Sequence, residues 1–135
     1  MRTYHAGRKP SPALLVGAVV AAAWLWWRPF RATVDGDSMR PVLRSGDIVV
    51  ATVRGPVRLG SLVVVERPDR PGFELIKRIT ALPGDVAPNG EILGPDRYWV
   101  EGDDRLRSTD SRHFGPVSRG AIRGVVRVSP RARRP

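Results

Sequence analysis

Phe73-Glu74-Leu75-Ile76-Lys77-Arg78-Ile79-Thr80-Ala81 is the stretch from which the rest of the chain can be read. In a β-strand successive side chains point to opposite faces, so Phe73, Leu75, Lys77, Ile79 and Ala81 share one face and Glu74, Ile76, Arg78 and Thr80 the other. Lys77 therefore lies on the apolar face. Comparable runs stand on either side of it: Asp47 to Arg54, Ser61 to Glu66, Arg97 to Glu101 and Ala121 to Ser129. Each is short, rich in Val, Ile or aromatic residues and bounded by glycine or proline, and Asn89-Gly90 marks a turn between two of them. These features predict a mostly β fold, a compact antiparallel domain resembling a partly open barrel, preceded by one N-terminal membrane helix.

The lysine stands out by count as well as by position. Of 23 basic residues only Lys9 and Lys77 are lysine. Arginine keeps its proton in essentially any protein environment, whereas burial disfavours an ammonium and lowers the pKa of a lysine. A fall from the usual value to about 8 would leave roughly a tenth of the molecules with a neutral, basic amine at pH 7. An edge position with the ammonium snorkelling to water is the other reading open to Lys77.

Composition narrows the chemistry further. With 135 residues and 41% hydrophobic residues the chain has room for one folded domain. It contains no cysteine, which removes disulfides and thiol nucleophiles. His5 and His113 are far apart and no metal or phosphate-loop motif is present, so neither a metal nor another cofactor is expected. The net charge of +10 raises nucleic acid as a partner, yet the basic residues are dispersed, apart from Arg131, Arg133 and Arg134, and no aromatic RNA-binding signature accompanies them. No nucleic-acid partner is expected.

Pro12 to Trp27 runs without a charge. A membrane anchor, a cleaved secretory signal ending near Ala21 to Ala23, and a buried core helix are the three readings of such a run. Trp24, Trp26 and Trp27 followed by Arg28 favour the anchor, because tryptophans and a snorkelling cation suit a bilayer interface. Arginines on both sides leave the orientation undecided by charge. The expected organisation is a basic tail over 1–11, a transmembrane anchor over 12–30 and a catalytic domain over 31–135. A basic amine needs a nucleophile, and without cysteine the candidates are hydroxyls. Ser38 sits in a loop between Gly36 and Pro41, where Gly36 permits close backbone approach and Met39 offers an apolar surface.

The run Gly36-Asp37-Ser38-Met39-Arg40-Pro41 resembles the nucleophile box of type I signal peptidases, and Gly46-Asp47-Ile48-Val49 resembles the segment that follows it. Lys77 to Asp85 is similar to the lysine box of that family, and Gly102 to Arg105 with Ser108 to Val117 to its C-terminal box, continued by Ile122-Arg123-Gly124. The resemblance implies a membrane-bound serine endopeptidase that removes signal peptides through an acyl-enzyme, with Ser38 as nucleophile and Lys77 as general base. It further implies that Ser108 orients the lysine amine and that Asp110 and Arg112 form a structural ion pair. Orientation follows from the resemblance too: a single pass through the cell membrane, with the catalytic domain on the extracytoplasmic side. Its substrates would be exported preproteins with small residues at the first and third positions before the cut. They would lie extended along Val34, Asp35, Gly36 and Asp37 on one side and Leu75, Ile76 and Lys77 on the other.

The sequence departs from the family pattern at three places. Gly36 occupies a position where relatives often carry a hydroxyl that helps bind the oxyanion, and Asp104 stands where Asn is common. Asp35 and Asp37 flank the nucleophile, and either carboxylate near Lys77 would favour the ammonium, so both are expected to point away. The short segment between Lys77 and Gly102 implies a minimal core. A maturation peptidase dedicated to one partner, such as those associated with nickel superoxide dismutase, is the alternative within the class. A catalytically silent, basic, membrane-associated β-module is the alternative outside it.

Overall fold

The computed structural model describes residues 10–128, so most of the basic tail, the terminal arginines and Ser129 lie outside the described residues. Helix α1, Pro12–Trp26, starts where the Ser11 hydroxyl accepts from the Leu14 N–H and Pro12 supplies a preset φ at the first turn. Its apolar residues surround the axis on all sides, and none of them is buried. The helix ends at Trp26 and the first strand opens at Pro29, so the helical part is shorter than the expected anchor over 12–30. Among the described residues no helix is long and apolar enough to cross a membrane.

Seven strands follow: β1 (Pro29–Thr33), β2 (Ile48–Thr52), β3 (Leu62–Glu66), β4 (Glu74–Ala81), β5 (Arg97–Glu101), β6 (Val117–Ser118) and β7 (Ile122–Val128). All neighbours are antiparallel and the order across the sheet is β1-β2-β7-β3-β4-β5-β6, a half-barrel left open between its outer strands. Register shifts at Val50/Ala51, Val64/Val65 and Ile79/Ala81 supply the extra residue that bends and twists a strand. The five strands expected from the sequence are present with ends trimmed by up to two residues. β1 and β6 are additions. β1 pairs with β2 along its whole length, and its Phe30 ring sits over Gly124 of β7, where an added Cβ would meet it at 2.5 Å and 2.7 Å. The space opposite Phe30 exists because position 124 has no side chain.

The buried residues form three clusters, the first two on opposite faces of β3, β4 and β7. Val63, Val65, Ile79, Val100, Val117, Ile122 and Val125 form the largest, beneath β3, β4, β5 and β7. Val34, Met39, Leu43 and Val49 form the second, joined by Ile76 from β4. Met39 and Leu43 are 1% and 0% exposed, so the loop carrying Ser38 is pinned into the core immediately after the serine. Ala81, Ala87, Leu93 and Trp99 make the third, under the turn at Asn89-Gly90.

Candidate active site

Lys77 sits in the middle of β4, opposite Val63 of β3, and is 2% exposed. The alternation read from the sequence holds within β4: Leu75, Lys77, Ile79 and Ala81 turn inward, with Ile79 and Ala81 buried, while Glu74 and Thr80 lie exposed; Phe73, expected on the inward face, precedes the strand and is exposed. The edge reading of Lys77 is thereby set aside. Its Nζ donates to the Ser38 Oγ at 2.6 Å, across 39 residues of sequence. Burial pushes the Lys77 amine down from 10.5 to about 8; Asp110 opposes that fall, Arg112 assists it and Asp103 opposes it more weakly. The resulting pair is a half-buried hydroxyl held on an amine whose charged form is disfavoured.

Ser38 is fixed from two sides. Within its own loop the Leu43 N–H donates to the Met39 carbonyl at 2.9 Å and the Arg40 N–H to the Asp37 carbonyl at 3.1 Å. From across the molecule the Asp104 N–H donates to the Ser38 carbonyl at 2.8 Å. Gly102 makes that approach possible, since a Cβ there would collide with the Ser108 side chain and stand 2.7 Å from the Ser38 carbonyl. A second tie lies one residue along from each partner. Arg78, next to Lys77, grips Asp103, next to Asp104, through two parallel bonds of 2.7 Å. Nucleophile loop, β4 and the segment after β5 are thus stapled together at the Ser38–Lys77 contact.

Behind this contact lies a saturated polar knot. Asp110 is fully buried and its carboxylate accepts from the Ser108 hydroxyl at 2.6 Å, the Gly102 N–H at 2.9 Å and the Arg112 guanidinium at 2.6 and 2.9 Å. Burial raises the Asp110 pKa, but Arg112, Ser108 and the Gly102 N–H outweigh it and hold the carboxyl well below the usual range. Asp110 also caps α2 (Ser111–Phe114), and Ser111 reaches back to the Val100 N–H of β5 at 2.9 Å. The Asp110–Arg112 pair expected from the sequence is present. Ser108 donates its hydroxyl hydrogen to Asp110, and among the described residues no hydrogen bond joins it to Lys77.

The other expected residues separate into groove and scaffold. A groove of about 160 Å³ beside the serine is lined by Val34, Asp35, Ser38, Met39, Leu75 and Ile76, together with Thr33, Phe73 and Glu74, which sequence reasoning missed. Asp37 is not among its lining residues; its carboxylate pairs with Arg40 at 2.8 Å, away from Lys77. Asp35 likewise does not bear on the lysine, whereas Asp103 and Asp110 do. Gly36 has a φ of +82° and nothing within 4 Å of an added Cβ, so the glycine serves backbone conformation rather than close approach. Its N–H donates to the Ser45 hydroxyl at 3.3 Å. Pro41 follows a cis peptide bond, and its loop turns down towards the buried Leu43. Arg78, Asp103 and Ser45 are further residues whose part in this site the sequence did not disclose; charges 25 residues apart carry no local signal of pairing.

An antiparallel half-barrel presenting a hydroxyl on a buried amine at the end of an open groove has the parts of a hydrolase. The model of the family described as signal peptidase, peptidase S26, matches residues 10–87 and 86–129. The chain belongs to that family. Among curated relatives, mouse mitochondrial inner membrane protease subunit 1 is 32% identical over 68% of this chain and 63% of its own length. Mouse mitochondrial inner membrane protease subunit 2 is 38% identical over 67% and 61%. Mitochondrial ATP-independent inner membrane protease subunit 1a of Arabidopsis thaliana is 36% identical over 72% and 68%. The match thus spans under two thirds of the length of the two mouse relatives.

Proposed function

We propose that this protein is a membrane-bound serine endopeptidase that removes N-terminal signal peptides from exported preproteins, with Ser38 and Lys77 as its catalytic pair. The observation that carries the reading is the 2.6 Å contact between the Ser38 Oγ and a lysine amine buried to 2% exposure. Neutral Lys77 takes the Oγ proton as the oxygen attacks the scissile carbonyl. The C–N bond then breaks, the Lys77 ammonium returns the proton to the departing amine, and the acyl group remains on Ser38. A water that gives its proton to the same amine releases the acyl group and restores the serine. The oxyanion would meet the Ser38 N–H first; Gly36 brings no side-chain donor.

Ser108, Asp110 and Arg112 act in this reading as the rigid backing that positions the Ser38 carbonyl side of the loop and the face of β4. Residues 12–30 are the membrane-associated part and 31–135 the catalytic domain, held in the cell membrane with the catalytic face extracytoplasmic. Three features support the membrane placement: a helix apolar on every side, the Arg54 guanidinium 4.1 Å above the Trp26 ring where helix meets sheet, and relatives named for an inner membrane.

The test is cleavage of a preprotein panel by the full-length protein in detergent, beside Ser38→Ala. Ser38-dependent cutting after small residues across many preproteins is the expected result. Cutting of a single preprotein would make the protein a dedicated maturation peptidase, and no Ser38-dependent cutting of any would overturn the peptidase reading.

A further inference from the structure

Acidic side chains near the groove fall into two groups. On the nucleophile side Asp37 is neutralised by Arg40 at 2.8 Å, and on the β3–β4 side Glu66, the cross-strand partner of Glu74, is paired with Arg123. Asp35 and Glu74 are different. Both are exposed, both line the groove, and among the described residues neither has an ion-pair or side-chain hydrogen-bond partner. No arginine or lysine lines that groove, although the chain carries 23 basic residues and a net charge of +10. The remaining lining is apolar or hydroxyl-bearing: Thr33, Val34, Ser38, Met39, Phe73, Leu75 and Ile76. In a strongly basic protein, the groove beside the serine is locally acidic.

We propose that Asp35 and Glu74 select substrates with a lysine or arginine at about the fourth position before the cut. This rests on the peptidase reading above and narrows its substrate class. An extended peptide advances about 3.3 Å per residue, and Glu74 lies three residues along β4 from Lys77, some 10 Å away. With the residue at the cut in register with Lys77, the residue three places earlier reaches Glu74. Asp35 stands three residues before Ser38 on the opposite wall, so a basic side chain there meets a carboxylate from each side. Its aliphatic stem runs along Ile76, which shares the Glu74 face of β4, while its charge meets the two acids.

The experiment compares kcat/KM of the full-length protein in detergent on synthetic peptides with Ala at the first and third positions before the cut. Lys, Gln or Glu occupies the second, fourth or fifth position in turn. The expected result is a Lys:Gln ratio of about five- to tenfold at the fourth position at low salt, from two exposed charge pairs, shrinking as salt is added. In Asp35→Asn/Glu74→Gln the ratio falls to near one, and in Glu74→Lys the Glu peptide overtakes the Lys peptide. Equal cleavage of Lys, Gln and Glu peptides by the unmodified protein overturns the selectivity and leaves the peptidase reading intact. Absence of Ser38-dependent cleavage of every peptide overturns the peptidase reading, and the selectivity with it.

Discussion

Ser38 and Ser108 each lie against a buried charged side chain, and the two neighbourhoods are built in opposite ways. Around Ser108 the charge is over-provided for: the Asp110 carboxylate collects a hydroxyl, a backbone N–H and a bidentate guanidinium. Around Ser38 the charge is under-provided for: the Lys77 amine has apolar neighbours on its own face and one hydroxyl at 2.6 Å. Satisfied ionic hydrogen bonds lower the energy of the charged form and rigidify what they join. A desolvated ammonium with few partners is pushed towards the neutral amine, which is a base. A serine against a buried charge thus makes a scaffold in one place and a reactive pair in the other.

The sharpest way to break this contrast is to remove the reactive pair. Ser38→Ala and Lys77→Arg should each lower cleavage by about a thousandfold or more, because one removes the nucleophile and the other substitutes a cation that does not give up its proton. Circular dichroism should show the fold intact in both. Lys77→Met should be equally inactive yet more stable. The folded-state pKa of about 8 lies below the ordinary 10.5, so the ammonium opposes folding at neutral pH and this penalty fades as pH rises from about 8 to 10.5. Replacing it with an apolar side chain should therefore raise the unfolding free energy at pH 7 by about 1–3 kcal/mol, measured by denaturant titration.

Attack on the scaffold should have the reverse signature. Asp110→Asn leaves the Arg112 guanidinium unpaired and should cost about 3 kcal/mol of stability in the same titration. It should also shift the pH dependence. Asp110 is the carboxylate that most strongly opposes the fall in the Lys77 pKa, so its removal should move the alkaline rise of activity to lower pH. In the unmodified protein kcat/KM should rise with pH and level off above about 8. Ser108→Ala is the smallest step, at about 1 kcal/mol of stability, from loss of the hydroxyl's bond to Asp110. A thousandfold loss of activity in Ser108→Ala with unchanged stability would show that the serine works directly on Lys77.

The same contrast separates what the sequence disclosed from what it hid. The face of β4 was legible because strand alternation places Lys77 with Leu75 and Ile79 by period alone, and β5 was legible at Arg97–Glu101 because valine and aromatics stand between Asp96 and Gly102. Ser38 was legible through its box rather than through local chemistry, since a serine in a loop between Gly36 and Pro41 commonly serves a turn. β1 stayed hidden because Pro29-Phe30-Arg31-Ala32-Thr33 continues a run of tryptophans and arginines, and the seat of its Phe30 ring over Gly124 joins positions far apart in the chain. The Arg78–Asp103 staple and the Ser108–Asp110 hydrogen bond were hidden for a further reason. Both depend on which polar groups the folded chain brings within 3 Å, and sequence spacing does not encode that.

The central claim is that burial makes Lys77 a base, and the chain's composition makes it directly measurable. Lys9→Arg leaves one lysine in the whole protein, so a 13C-labelled lysine reports a single Cε resonance in an NMR pH titration. The structure predicts a midpoint near 8. A midpoint at the ordinary value near 10.5 would show an ammonium at neutral pH with no tendency to take the Ser38 proton, and would contradict the account.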